Sequence, residues 1–193
     1  RYGDKAVKYY KEHVSIELAR AYQDVTNRSA EYVRENPFNG EMKVDGVDMP
    51  FKVTINPILN IFSQNSGRVA SVSNYIHGPQ MYLLEGYLTS KDRTIIDITE
   101  NVPDEEEKDF LLKLVRSIYS NETYKKPVLD REEDFLLLDR LSSFLNSHLG
   151  VRGINIWPDN VKFRFDPDSS QVNLVVTDLC LMLDALRVGV KKN

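Results

Sequence analysis

The stretch GINIWPDNVKF, residues Gly153–Phe163, joins a helical apolar pattern to a strand pattern. It places Trp157 and Pro158 directly before Asp159 and Asn160. Pro, Asp and Asn are typical of a surface turn. Asp and Asn side-chain oxygens are also ligands for hard divalent cations. The flanking sequence must therefore decide between a plain turn and a functional loop.

The segment after this stretch predicts a β-hairpin. VKFRF and QVNLVVTDL have strand patterns, and the turn sequence DPDSS separates them. Asn160 precedes the first strand and Asp178 follows the second, so the hairpin brings both positions to its open end. A side chain at the end of a buried strand is held rigidly, as a metal ligand must be. Asn160 and Asp178 are therefore candidate ligands for a divalent cation.

The rest of the chain predicts an α+β fold. Strand patterns and a hairpin rich in Pro and Gly dominate the first third, where SIELARAYQDVTNRSAEYVREN predicts a helix with Ser15 as its N-cap. Two helices follow in PDEEEKDFLLKLVRSIYS and DREEDFLLLDRLSSFLNSHLG, the second with Gly150 as its C-cap. The shift from strand patterns to helix patterns along the chain predicts one domain in two lobes. These are a small sheet-rich lobe at 1–78 and a helical lobe with the hairpin at 79–193.

Composition and charge exclude several classes of protein. The 193 residues are 41% hydrophobic and 28% charged, an ordinary globular balance. The net charge of −4 argues against nonspecific binding to nucleic acid or to anionic membranes. The single cysteine, Cys180, excludes an intramolecular disulfide. No apolar run reaches the roughly 18 residues of a membrane span, and no signal peptide is visible, so we expect an intracellular protein.

The order of these elements resembles the protein-kinase-like superfamily, which includes aminoglycoside kinases. AVKYY resembles the strand with the lysine that pairs with phosphate, which would be Lys8. IELARAY resembles the next helix, whose Glu17 would pair with that lysine. SVSNYIHGP resembles the hinge strand, where the resemblance implies that adenine of ATP binds the backbone of Asn74, Tyr75 and Ile76.

The second half extends the same resemblance to a two-lobed kinase-like fold. PDN resembles the end of the catalytic loop, and DLC stands where protein kinases have Asp-Phe-Gly. The resemblance implies that Asn160 and Asp178 bind Mg²⁺ beside the phosphates of ATP. It spans roughly Lys5 to Leu179.

The departures from the family concern catalysis. The family's catalytic Asp lies five residues before the metal-binding Asn, and that position is Asn155 in this chain. An amide cannot accept a proton as a carboxylate can. Asp159 is the alternative carboxylate. In addition, only Gly3 lies between Arg1 and Lys8, so the given sequence shows no glycine-rich phosphate loop before this lysine.

Three functions therefore remain open. The first is a degenerate kinase-like protein, a pseudokinase, that binds ATP and Mg²⁺ with weak or no phosphotransfer and acts through a protein partner. The second is an active minimal ATP-dependent phosphotransferase for a protein or a small molecule. The third is an α+β interaction domain without a nucleotide site. Short bacterial effector kinases also lack most of the family's later helices, so delivery as an effector is compatible with this resemblance.

Overall fold

The computed structural model describes residues 3–44, 47–80, 98–120, 131–149 and 153–181. It is a mixed α+β fold, as the sequence predicts. Three helices have full bounds, α1 (Ile16–Glu35), α2 (Glu105–Ser120) and α3 (Arg131–Leu149); residues 98–101 are also helical, and a 3₁₀ turn lies at Pro158–Asn160. The strands are β1 (Lys5–Tyr9), β2 (Asn39–Val44), β3 (Val47–Ile55), β4 (Ile58–Ser63), β5 (Val69–Asn74), β6 (Ile154–Asn155), β7 (Val161–Asp166), β8 (Gln171–Val176) and β9 (Cys180–Leu181).

Helix α1 begins where the sequence predicts. The Ser15 side chain accepts a hydrogen bond from the Leu18 backbone N–H at 3.2 Å, which satisfies one of the unpaired donors of the first turn. One face of the helix is buried along its length, at Ala19, Val25, Thr26, Ser29 and Val33. The predicted N-cap is therefore confirmed. The C-cap predicted for α3, at Gly150, lies outside the described residues.

A three-stranded antiparallel sheet has the order β1-β5-β4. In its register Lys8 lies opposite Ser71, and Ala6 lies opposite Ser73. Because opposite residues share a face, these four side chains project from one side of the sheet. The face that holds Lys8 is therefore a surface of small polar and apolar side chains.

A four-stranded sheet with the order β2-β3-β8-β7 connects the two halves of the chain. Strand β3 pairs in parallel with β8, from Phe51 opposite Val172 to Ile55 opposite Val176. The boundary predicted at Gly78 therefore does not separate the sheets into two lobes. The physical reason is burial, since each strand has one apolar face and their pairing places both faces in one core.

The main core lies between this sheet and helices α1 and α3. Its buried members include Val33 from α1, Leu141 and Leu145 from α3, and Phe163 and Leu174 from the sheet. Strands β6 and β9 form a short antiparallel pair beside it. None of the helices in the described parts of the chain is both long and apolar enough to cross a bilayer.

The segment after β5 runs very close to β7. Gly78 has a φ of +120°, and a Cβ atom there would lie 2.2 Å from the Phe163 carbonyl oxygen. The Phe163 backbone N–H donates to the Pro79 carbonyl at 2.9 Å. Only glycine allows this approach, which places residues 74–76 beside the start of the β7–β8 hairpin.

Candidate functional site

A cavity of about 280 Å³ lies between the Lys8 face of the three-stranded sheet, helix α1 and the open end of the β7–β8 hairpin. Nine residues are predicted from the sequence for a site, and six of them line this cavity. These are Lys8, Asn74, Tyr75, Ile76, Asn160 and Asp178. Four separate segments of the chain therefore meet at one place, whereas the other three predicted residues, Glu17, Asn155 and Asp159, do not line the cavity.

Lys8 and Asp178 are in direct contact within this cavity. The Lys8 ammonium forms an ion pair with the Asp178 carboxylate. The register of β1 fixes Lys8 beside Ser71, and Asp178 follows β8 by two residues. Lys8 also lies 5.7 Å from the centre of the Tyr22 ring. One cation and one carboxylate thus face each other at the cavity wall.

Tyr22 connects helix α1 to Asp178. Its hydroxyl lies within hydrogen-bond distance of the Asp178 carboxylate and 2.7 Å from the Leu179 carbonyl oxygen. It also accepts a hydrogen bond from the Leu179 backbone N–H at 3.1 Å. Burial, together with the negative charge of Asp178, raises the pKa of Tyr22 far above its usual value, so the phenol stays protonated. The helix therefore fixes the position of Asp178.

Asn160 closes the open end of the hairpin. Its backbone carbonyl accepts hydrogen bonds from the Thr177 backbone N–H at 2.7 Å and from the Thr177 hydroxyl at 2.9 Å. Its side-chain amide donates to Cys180 Sγ at 3.3 Å. Because the Oδ1 atom is the only acceptor of the side-chain amide, it is the atom that can contact a cation. The two predicted cation ligands, Asn160 and Asp178, are therefore brought together.

Cys180 contacts Asn160, one of these two predicted ligand residues. It is half-buried, and its thiol has a raised pKa, first because of burial and then because of the charges of Asp178 and Asp159. The thiol therefore stays protonated near neutral pH. Sequence reasoning treats this residue only as a lone cysteine, whereas the structure places it in contact with Asn160.

The segment at residues 74–76, where adenine is predicted to bind, lines the cavity. Three of its backbone groups already have hydrogen-bond partners. The Asn74 carbonyl accepts from the Asn56 side-chain amide at 2.8 Å. The Tyr75 backbone N–H donates to the Asp4 carbonyl at 2.8 Å. The Ile76 carbonyl accepts from Lys162 Nζ at 2.7 Å. The predicted adenine contacts would therefore have to share or replace these bonds.

Asn155, Asp159 and Glu17 do not line the cavity, which corrects three of the predicted site residues. Asn155 lies in β6 between Ile154 and Ile156, both 3% exposed. Since neighbours along a strand alternate in direction, the Asn155 side chain points away from the core that those isoleucines enter. Its backbone position is opposite Cys180, so it lies near the site without facing it.

Asp159 and Glu17 are both exposed. The Asp159 carbonyl accepts from the Gln80 side chain at 2.9 Å, within the 3₁₀ turn. Glu17 interacts with its own helix start, and hydrogen bonds from its backbone N–H and from Ser15 lower the pKa of its carboxyl. It lies five residues from Tyr22 on α1 and so faces a different side of the helix. The predicted Lys8–Glu17 pair is therefore replaced by the pair of Lys8 with Asp178.

Several lining residues are missed by sequence reasoning. Lys162 lies two residues after Asn160, and its ammonium sits 5.4 Å from the centre of the Tyr75 ring. Thr26 is 3% exposed, and among the described residues its hydroxyl has no hydrogen-bond partner. The ammonium of Lys162 favours a ligand with acceptor atoms, whereas the Thr26 oxygen is too deeply buried to contact one. Tyr22 and Thr26 are four residues apart on α1, so they lie on the same face of the helix. This spacing is the sequence signal that could have grouped them.

The residues present fit a cation that arrives with a ligand better than a resident metal. Across the described segments, no group of three or more His, Cys, Asp or Glu side chains is arranged to hold a metal ion. Mg²⁺ is usually bound by one or two carboxylates together with substrate phosphates and water. Asp178 and Asn160 supply oxygen atoms of this chemistry at the cavity wall.

Comparison with known proteins found no match to a family model, to a curated protein or to a solved structure. The site is therefore interpreted from its own geometry and chemistry.

Proposed function

We propose that this chain is a degenerate kinase-like protein that binds a nucleotide together with Mg²⁺ in the cavity, with weak or no phosphotransfer. ATP is the nucleotide that the sequence resemblance implies. The observation that supports the proposal most strongly is the meeting of Lys8, Asn160, Asp178 and the 74–76 segment around one cavity. The order of the sequence motifs predicts these residues together with Glu17 and Asn155, and all but those two line one cavity.

The charges of the cavity favour a phosphate-bearing ligand. Lys8 and Lys162 line it, and Asp178 is the one carboxylate among the lining residues that the structure describes. Lysine is a common partner of phosphate groups. A cation bound by Asp178 and Asn160 would neutralise further phosphate charge and would release Lys8 from its ion pair. Lys8 is then available to the phosphates.

The same residues argue against efficient transfer. A phosphoryl acceptor needs a carboxylate that takes or orients its proton. Within the described part of the cavity wall the sole carboxylate is Asp178, which already contacts Lys8 and Tyr22. Neither Asn155 nor Asp159 lines the cavity. We therefore expect binding without turnover at the usual kinase rate of about 1–100 per second.

Thermal unfolding with and without millimolar Mg²⁺ and ATP or GTP tests the proposal. A ligand present at a hundred times its dissociation constant stabilises the folded state by about 2.7 kcal/mol. For a chain of this length that corresponds to a rise of roughly 5–10 °C in Tm. Asp178→Asn should abolish the part of the rise that depends on Mg²⁺.

Asp166→Asn is the matched control. Asp166 ends β7 at the closed end of the same hairpin, where its carboxylate accepts from the Ser169 hydroxyl at 2.7 Å. It does not line the cavity. The control should keep the full nucleotide shift. If neither nucleotide raises the Tm of the wild-type protein, the proposal is wrong and the interaction-domain alternative is favoured.

A further inference from the structure

We infer that the cavity prefers a 6-oxopurine base, such as guanine, over adenine, and that Lys162 sets this preference. The inference rests on the proposed function. It keeps the nucleotide and the Mg²⁺ and changes the base that the sequence resemblance implies.

Lys162 stands at the part of the cavity where the resemblance places the base. It lies near the start of β7, and its ammonium donates to the Ile76 carbonyl at 2.7 Å. It also lies 5.4 Å from the centre of the Tyr75 ring. A lysine ammonium has three N–H donors and accepts no hydrogen bond. Any ligand atom that forms a hydrogen bond with this ammonium must therefore be an acceptor.

At the purine 6-position adenine offers the wrong group to this ammonium, and on the edge that carries N7 only N7 accepts. Its exocyclic amino group is a donor, and its natural partner on a hinge segment is a backbone carbonyl. The carbonyls of Asn74 and Ile76 already accept from Asn56 and from Lys162. An adenine amino group here would have to share one of these carbonyls with its present donor, and beside the Lys162 ammonium it would lose hydrogen bonds that it makes in water.

A 6-oxopurine has an acceptor at the 6-position, where adenine has a donor. The O6 and N7 atoms of guanine are acceptors, and lysine to O6 or N7 is a recurrent contact between proteins and this base. Such a base presents two acceptors, O6 and N7, to the Lys162 ammonium. A hydrogen bond to a charged group is expected to change affinity by about tenfold to a hundredfold.

The direct test compares Mg-ATP, Mg-GTP and Mg-ITP by isothermal titration calorimetry. All three share the ribose and the triphosphate, so their phosphate and cation contacts are the same. ITP differs from ATP at the purine 6-position, where it has an oxygen in place of the amino group and a proton on the adjacent N1. We expect GTP and ITP to bind at least about tenfold more tightly than ATP.

The variant Lys162→Met keeps the length of the apolar part of the side chain and removes the ammonium. It should reduce the preference for GTP and ITP over ATP to less than about threefold. Lys5→Met is the matched control, because Lys5 donates to the Asn74 side chain at 2.8 Å and does not line the cavity. This control should keep the wild-type preference.

The outcomes separate this inference from the proposed function. If ATP binds the wild-type protein as tightly as ITP or more tightly, the inference is wrong and the proposed nucleotide site stands. The inference is also wrong if the preference survives in folded Lys162→Met. If none of the three nucleotides binds, both fail. The wild-type comparison of ATP with ITP decides the question even if Lys162→Met does not fold.

Discussion

Lys8 and Asp178 lie 170 residues apart in the chain and form an ion pair at the wall of the cavity. Their side chains are 52% and 28% exposed. Ion pairs with this much solvent contact stabilise proteins by only about 0–1 kcal/mol. The pair therefore contributes little to folding, and its two members remain available to exchange partners when a charged ligand enters.

Replacing Lys8 by Met tests this exchange. We expect Lys8→Met to change the free energy of unfolding by less than about 1 kcal/mol. The same change should weaken Mg-nucleotide binding about tenfold or more, because a charge-assisted bond to phosphate is lost. Calorimetric titration and urea unfolding measure the two quantities. Lys11→Met, at an exposed position outside the cavity, should alter neither, and an unchanged affinity in Lys8→Met would contradict the assignment.

The hydroxyl of Tyr22 is expected to matter for both stability and binding. Tyr22→Phe leaves the Leu179 N–H without its acceptor and frees the Asp178 carboxylate. An unsatisfied buried group costs about 1–3 kcal/mol, so urea unfolding should show a loss in this range. Nucleotide affinity should fall as well. Tyr9→Phe removes an exposed hydroxyl and should change both by little, and equal effects of the two variants would refute a positioning role for Tyr22.

Gly78 and Gly67 form a matched pair for the close approach beside the cavity. Both have positive φ values, +120° and +80°, so alanine is strained at either position. A Cβ atom at Gly78 would also collide with the Phe163 carbonyl, whereas one at Gly67 meets nothing within 4 Å. We expect Gly78→Ala to cost about 2–5 kcal/mol and Gly67→Ala about 1–2 kcal/mol in unfolding free energy. Equal losses would show that the approach to Phe163 is not tight.

The pKa of the Cys180 thiol depends on the charge of Asp178, so the reactivity of this cysteine can be used to test the placement of that carboxylate. Its raised pKa predicts that the midpoint of the alkylation rate against pH lies above that of a free cysteine. Asp178→Asn removes a nearby negative charge that disfavours the thiolate, so the midpoint should move down. Labelling with iodoacetamide measures this without ambiguity, because the chain has one cysteine. A midpoint that rises or stays in Asp178→Asn would contradict the placement of this carboxylate.

Local patterns are sufficient to predict most of the elements. Ser15 before an apolar stripe predicts the start of α1, and the DPDSS turn predicts the β7–β8 hairpin, because both depend on residues close in sequence. The parallel pairing of β3 with β8 is not predicted. Each strand has one apolar face, but neither sequence indicates which strand it pairs with. Strand pairing is decided by burial in the whole core.

The candidate site shows the same division. Asn160 and Asp178 are predicted because a hairpin must bring its ends together, whereas Lys8 is predicted only from the resemblance of AVKYY to a kinase strand. Asn155 and Glu17 are wrongly predicted to line the site, because the prediction used only their spacing in the motifs that resemble the kinase-like family. The isoleucines beside Asn155 turn its side chain away, and the helical phase of α1 presents Tyr22 rather than Glu17 to the cavity. Tyr22 is missed because an aromatic residue within an apolar stripe predicts core packing.

The most direct test of the central claim is the position of a Mn²⁺ ion in crystals grown with a nonhydrolysable nucleotide, located by its anomalous scattering. Mn²⁺ replaces Mg²⁺ at oxygen sites. We predict that the ion lies about 2.0–2.2 Å from an Asp178 carboxylate oxygen and in contact with Asn160 Oδ1 or a water bound to it. The phosphates should then lie beside Lys8. An ion and nucleotide bound elsewhere, or a cavity without nucleotide at saturating concentration, would contradict the account.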